Sequence, residues 1–515
     1  MDGVAKFGAL DYGILFVYLS GLLSIGFVFS RRQKTTEDYF LAGRKMPWII
    51  VAMSMFASLT SATTYIGVPG IAFSENIALL VQGCASIVAA PFIVLIFYPF
   101  YRKLNVTTSY EYVFRRYGAG ARYVVSGLFL LARLGWLGVV IYAPALALSV
   151  VTGMNVYFAI LLMGILAISY TVLGGLSAVL WADVVQFIVL TGGAVWVAIS
   201  LIGNVDGGVG GIIETVRAAD PAHLEIIDFN LKNLSLFKMS GVVVGISLFF
   251  QMMQDYGTDQ VTVQRLMAIK DFKGMARAAI TNSFFDFTIV GLLLFIGLGL
   301  FAYYTINPNM LAEGVKNDQM FPYYIMQALP RGISGIIITG VFAAAMSSMD
   351  SGINSLATVV TNDFVRPLRK TQRTEKQDVR LARILTFVIG SLAVLAGLYA
   401  TTIGDVLKAA MSFIGLFGGP ILALFLLGMF SRKSCFKGWI VGTLIAIPAT
   451  IFIQKAEFSG QSIHFIYYFP FCFGTTFIFS FITSCIISKT KAPAELTVWG
   501  RGKLSEMNLD SKKEN

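Results

Sequence analysis

The sequence predicts an all-α integral membrane protein of about thirteen spanning helices, and three observations lead there. Over 515 residues, 56% are hydrophobic and 13% charged, and the mean hydropathy is +0.74, more apolar surface than a water-soluble chain can hide. Apolar runs recur between charged segments at lengths that suit a bilayer core, which takes roughly 20 residues per crossing. The basic residues then alternate between loops of opposite parity: one parity plus the C-terminal tail holds 30 of the 39 Lys and Arg, the other parity holds 7, and 2 lie inside spans.

In chain order, a lead helix over 11–30 is followed by twelve spans starting near 46, 77, 122, 156, 177, 239, 279, 333, 382, 404, 436 and 463. The chain opens without a basic stretch, short apolar run and small-residue cleavage site, so the lead helix is expected to be a span. Basic loops stay cytoplasmic. Arg31, Arg32, Lys34, Arg44 and Lys45 after the lead helix, and Arg366, Arg369, Lys370, Arg373, Lys376, Arg380 and Arg383 after span eight, therefore put the N-terminus outside and the tail inside. The expected organisation is N-terminus, lead helix and first loop over 1–45, a five-span repeat over 46–203, an outer loop over 204–238, a second five-span repeat over 239–430, two further helices over 431–488, and a solvated, mainly structureless cytoplasmic tail over 489–515.

Several function classes lose support. Cys84, Cys435, Cys472 and Cys485 have neither paired nor metal-type spacing. His223 and His464 fall outside the long apolar runs, which disfavours a histidine-based site within the bundle. There is no G-x-x-x-x-G-K-[ST] phosphate cradle, so transport would run on an ion gradient or be passive. The net charge of +11 reads as a topology signal, without nucleic acid as a partner.

Polar groups at membrane depth cost several kcal/mol unless paired, so each is a functional candidate. Span one, Met46 to Phe73, is interrupted by Ser58, Leu59, Thr60, Ser61, Ala62, Thr63 and Thr64 and closes with Gly67, Pro69 and Gly70. A break there frees carbonyls and hydroxyls to line a cavity; the competing reading is hydroxyls bonded back to their own helix. Span six runs apolar over 240–250, then turns polar at Gln251, Gln254, Asp255, Asp259, Gln260 and Gln264 and ends at Arg265. Gln264 and Arg265 read as an ordinary cytoplasmic helix end. Spans one and six each lead five spans, and interrupted helices at matching positions point to an inverted-repeat transporter.

Ala344, Ser347, Ser348 and Ser351 share one face of span eight at spacings of three and four. Such an oxygen stripe suits a hard cation, while small residues at this spacing also serve close helix packing. Asp183, about two turns into span five, requires sodium, a proton or a basic side chain beside it; Asp350 poses the same question. Arg133 lies near the middle of span three. Its guanidinium suits a planar carboxylate, or else forms a structural ion pair with an acid such as Asp350. Gln82 on span two suits hydroxyl or amide groups, or is a satisfied buried glutamine.

Three runs carry a resemblance. Residues 36–48 (TEDYFLAGRKMPW), 170–186 (YTVLGGLSAVLWADVVQ) and 346–364 (MSSMDSGINSLATVVTNDF) resemble the sodium/solute symporter family over about residues 11–489. The resemblance implies a leucine-transporter-like 5+5 inverted repeat with broken helices one and six. Arg133 with Gln82 and the Ser/Thr-rich break is similar to the sialic-acid transporters of that family. It implies a principal sodium site from the carbonyls of Ala57 and Thr60 with Ala344, Ser347 and Ser348, and one or two coupling sodium ions. A second sodium site would use Asp183 with Ser347, Ser348 and Ser351, with Ala344 able to give only its carbonyl. The substrate carboxylate would meet Thr60, Ser61, Thr63 or Thr64, its hydroxyl or N-acetyl groups Gln82, and its charge Arg133.

The function expected from this is sodium-coupled uptake of an anionic sugar acid, sialic acid (N-acetylneuraminic acid), across the inner (plasma) membrane, with the lipid bilayer as surroundings and no protein partner evident. Within transport the competing substrates are proline, pantothenate and other monocarboxylates. A membrane sensor or a channel is the reading from another class. An enzyme is disfavoured because no nucleophile, base and orienting group recur together.

Overall fold

The structure is a computed structural model that describes residues 8–226, 241–312, 315, 319–330, 332–369, 373–402, 406–458, 461–488 and 491–501; the side chains of residues 63, 143, 147, 150–152, 241–243 and 406–412 are outside that set. Ten described helices are long and apolar enough to cross a bilayer by length and composition. The interrupted helices described below are too short in each half to be caught by such a test.

We number α1 (Ala9–Ser30), α2 (Trp48–Leu59), α3 (Ala62–Ser74), α4 (Leu80–Ile96), α5 (Ala119–Thr152), α6 (Val156–Asn204), α7 (Gly241–Gly257), α8 (Gln260–Met267), α9 (Phe272–Ile306), α10 (Ile333–Val359), α11 (Glu375–Ala400), α12 (Val406–Phe430), α13 (Phe436–Lys455) and α14 (Tyr468–Ile487). The starts agree with the sequence reading to within a few residues, with two systematic exceptions. Both α9 and α11 begin seven residues earlier than expected. Their opening turns carry Lys273 and Arg277, and Lys376, Arg380 and Arg383, so they are helical but too charged to register as apolar.

At 49 residues α6 would be about 73 Å long if straight, more than twice a bilayer core. It is folded at Gly175, whose φ of 56° and ψ of −154° leave the helical region. Below Gly175 in number the chain climbs along α11: Arg383 donates to Leu173 O, Ile168 lies against Gly390 and Val394 against Gly164. Above it the chain climbs along α10, with Leu190 at Gly340 and Ile337 at Gly193. Glycine is required at the turn, since a Cβ there would lie 2.5 Å from Tyr39 O and the positive φ disfavours other residues.

The lead helix is tied to the second repeat by Asp11, buried near its start. Its Oδ1 accepts from the Gly332 and Gly335 amides at 2.8 and 2.9 Å, placing a carboxylate on the otherwise unpartnered N–H groups that open α10. At the basic side, residues 491–501 correct the expectation of a structureless tail. Val498 N donates to Met429 O and Ala492 N to Arg432 O, both at 2.9 Å; Trp499 Nε1 donates to Phe430 O at 3.0 Å and Tyr112 OH to Leu496 O at 3.0 Å. Loop backbone exposed by the end of α12 is satisfied by this segment, so it docks. Residues 489–490 and 502–515 lie outside the described set, as does part of the 204–238 loop.

Candidate functional site

Span one is broken, as expected, between α2 and α3. Thr60 (φ −82°, ψ 95°) and Ser61 (φ −78°, ψ 164°) are extended, and Ser61 restarts the helix as its N-cap by accepting from Thr64 N. The break leaves the last carbonyls of α2 without helical donors, and α10 supplies hydroxyls to them. Ser347 Oγ donates to Ala57 O at 2.7 Å and lies 3.1 Å from Ala344 O; Ser348 Oγ donates to Ser58 O at 3.1 Å. Ala344, Ser347, Ser348 and Ser351 are completely buried along this seam. A serine hydroxyl is donor and acceptor at once, so with a cation present the same oxygens can turn their lone pairs to it. The set consists only of carbonyl and hydroxyl oxygens, which is the donor set a hard monovalent cation takes.

One turn below lies Asp183, completely buried, and its compensating cation is Arg265. Nη2 of Arg265 is 3.1 Å from Asp183 Oδ2, and that oxygen also accepts from Ser54 Oγ at 2.5 Å and faces Ser58 Oγ at 3.3 Å. Arg265 further donates to Ser54 Oγ at 2.8 Å, to Val261 O at 2.9 Å and to Ser351 Oγ. This corrects the reading of Gln264 and Arg265 as an ordinary helix end. Both are buried, and Gln264 Nε2 lies within 2.8 Å of Phe40 O, Asn354 Oδ1 and Thr358 Oγ1, which share its two hydrogens. Hydropathy missed them because a short helix carrying Arg reads as a solvated end; the signal available was the unanswered charge of Asp183. Asp183 Oδ1 keeps no hydrogen-bond partner among the described residues.

Asp350 does not pair with Arg133, a second correction. It accepts from Tyr170 OH at 2.5 Å and from Ser351 Oγ at 3.0 Å. The acid near Arg133 is Asp259, with Nη2 3.7 Å from Oδ1. That separation is an ion pair without a hydrogen bond. The guanidinium lies over the Trp136 ring, 4.4 Å from its centroid, and its Nε and Nη2 are buried without hydrogen-bond partners among the described residues. Arg133 therefore retains donors for an incoming carboxylate.

Asp259 sits in the break of span six, between α7 and α8. Helix α7 runs through Gly257, so Gln251, Gln254 and Asp255 are inside it, and Asp259 caps α8 by accepting from Val261 N at 2.8 Å. The carbonyls freed here are also taken by hydroxyls, but from the 98–109 segment and not from α10. Tyr98 OH donates to Tyr256 O, Tyr101 OH to Gly257 O, and Ser109 Oγ to Thr258 O at 3.0 Å. Among the candidate substrate ligands, Thr60 and Ser61 are buried at the first break and Ser61 Oγ lies 3.3 Å from Thr64 Oγ1. The Thr63 side chain lies outside the described residues. Gln82 is half-buried on α4, and no direct bond joins it to Arg133 or to the first break among the described residues.

The sequence profile of the family described as "Sodium:solute symporter family" matches residues 39–446. The sodium/sialic acid symporter NanT of Aliivibrio fischeri is 32% identical over 456 residues, 88% of this chain and 89% of its own length. A solved structure of a Na+-coupled sialic acid symporter, substrate-bound and outward-open, superposes with a TM-score of 0.87 at 30% identity, covering 95% of this chain and all of that one. At the level of fold alone, the nucleobase-cation-symport-1 transporter Mhp1 in a closed conformation is similar, with a TM-score of 0.57 at 13% identity over 92% of this chain and 98% of its own.

Proposed function

Since the chain belongs to the sodium:solute symporter family, we propose that it carries sialic acid, an anionic sugar acid, into the cell together with sodium by alternating access. The observation that carries this is Arg133: a buried guanidinium in a membrane span with two nitrogens that take no hydrogen bond among the described residues. A solute carboxylate is the ligand such a group is built to take. The relatives named as sodium/sialic acid symporters support the same solute.

In this reading one sodium ion joins the carbonyls of Ala57 and Thr60 on the α2 side to Ala344, Ser347 and Ser348 on α10. The ion makes an attraction that exists in one arrangement of the two helices and not in another, which is what a coupling ligand must do to shift a conformational equilibrium. Asp183 and Ser351 border that seam and supply the second sodium position. Ser61, Thr64 and Thr63 at the start of α3 meet the solute carboxylate with Arg133, and Gln82 meets its hydroxyl or amide groups. The N-terminus lies outside and the docked tail inside, following the basic loops. Two sodium ions per carboxylate move one net positive charge inward, worth about 2.3 kcal/mol per 100 mV; one ion per carboxylate moves none.

The test is uptake of labelled N-acetylneuraminic acid into proteoliposomes. We expect concentration against a gradient when external sodium is present, no concentration when choline replaces it, and loss of most uptake in Arg133→Ala. Accumulation indifferent to sodium refutes the coupling, and undiminished uptake by Arg133→Ala refutes the role of the guanidinium.

A further inference from the structure

Away from the seam of α2 and α10, a second set of polar side chains is sealed between α4, α7 and α9. Asn282 and Asp286 stand one turn apart on α9 and so share a face. Ser86 of α4 faces Asp286, and Tyr256 in the last turn of α7 faces both Asn282 and Ser86. Asn282 and Ser86 are completely buried and Asp286 is 7% exposed. Yet Ser86 Oγ, both amide atoms of Asn282 and Oδ2 of Asp286 have no hydrogen-bond partner among the described residues. Unmade hydrogen bonds of this kind cost about 1–3 kcal/mol each when buried.

Asp286 also joins no ion pair among the described residues. Among the described residues Arg265 pairs with Asp183 and Arg133 with Asp259, and neither pairs with Asp286. A carboxylate sealed in a bundle with no basic partner requires a cation. The size of that cation is bounded by the backbone. Gly83, one turn from Ser86, brings α4 so near α9 that a Cβ on it would lie 2.7 Å from Phe287 Cα. Helices this close argue against an organic solute between them. A proton on Asp286 supplies one hydrogen bond, which Ser86 can take, and leaves Asn282 unpaired. A metal ion held by Asp286 Oδ2, Asn282 Oδ1 and Ser86 Oγ answers all three at once, and a ligand set with one carboxylate suits a singly charged ion.

We infer that Ser86, Asn282 and Asp286, with Tyr256 alongside, form a sodium site separate from the one between α2 and α10. The inference rests on the sodium-driven reading above and adds an ion position to it. It is tested by equilibrium binding of 22Na+ to the purified full-length protein. Asp286→Asn should bind one sodium ion fewer per chain at saturation than the wild type, and the same loss should appear when it is added to Ser347→Ala, which disables the first position between α2 and α10. Asn282→Ala and Ser86→Ala, which remove neutral ligands and decide the matter if Asp286→Asn does not yield monodisperse protein, should weaken one class of sodium ion by roughly tenfold or more. Superimposable binding curves for wild type and all three variants would overturn the site while leaving sodium coupling intact. So would an Asp286→Asn variant that keeps its sodium count and differs only in proton uptake. No sodium binding by the wild type would overturn both readings.

Discussion

Arg265 and Asp183 show how a charge pair within the bundle constrains the residues around it. Each is almost completely buried, so removing one strands the other in a medium that solvates it poorly. Cutting such a pair on one side typically costs 3–5 kcal/mol, whereas replacing both partners by apolar groups of similar size is near neutral. We therefore expect Arg265→Ala and Asp183→Ala each to lower the melting temperature of the purified protein sharply, and Asp183→Leu/Arg265→Met to recover most of the loss. If the double variant is as unstable as the sum of the singles, the pair is not the reason these residues are there. Thermal scans in the absence of sodium separate this effect from ion binding. Ser54, Ser58 and Ser351 hydrogen-bond to the pair or to each other around it; what links the pair to the cation seam is that Ser58 also belongs to α2, whose carbonyls the α10 serines hold.

Among the elements, two breaks of the same kind are used differently. Helix α2 ends in carbonyls held by serine hydroxyls that can rotate, and so remain available to an ion. Helix α7 ends in the carbonyls of Tyr256 and Gly257, held by Tyr98 and Tyr101, large side chains packed in the core. The first break is thus the adaptable one. The start of α10 is secured from outside its own repeat by Asp11 of α1, which accepts two of its opening amides. Loss of a capping side chain costs about 0.5–2 kcal/mol, and a charge on a helix N-terminus adds to that. Asp11→Ala should lower the melting temperature by a few degrees, with Asp11→Asn intermediate because its amide oxygen still accepts. An Asp11→Ala protein with unchanged stability would show that α1 is held by its apolar face alone.

Over the whole molecule, the docked segment 491–501 connects pieces distant in sequence. Lys103 Nζ donates to Arg501 O at 2.6 Å, Tyr112 OH to Leu496 O, and the tail backbone pairs with the end of α12. Leu496 and Thr497 are buried in that contact. Ending the chain at residue 490 should therefore destabilise the basic face: we expect a lower melting temperature and faster proteolysis of the segment before α5, with insertion into the membrane retained. Equal stability of the truncated and full chains would mean the segment merely rests there.

Hydropathy and charge are properties of a stretch of chain by itself, because a bilayer asks of each span only that it be apolar and long enough. That is why the apolar runs, the basic loops, the interruption at Thr60 and Ser61 and the exposed cost of Asp183 and Arg133 were determined by the sequence alone, and why the resemblance to the symporter family could be read from three short runs. Which charge answers which was decided only by the tertiary structure. Asp183 and Arg265 are 82 residues apart, and Arg133 faces Asp259 and not Asp350. Such pairings depend on how helices rotate and tilt against neighbours, through contacts such as Gly83 on α9 and Tyr39 at Gly175, which no single stretch encodes. The unpaired oxygens around Asp286 belong to the same class: each residue alone reads as an unremarkable polar position, and only three helices packed together make them a site.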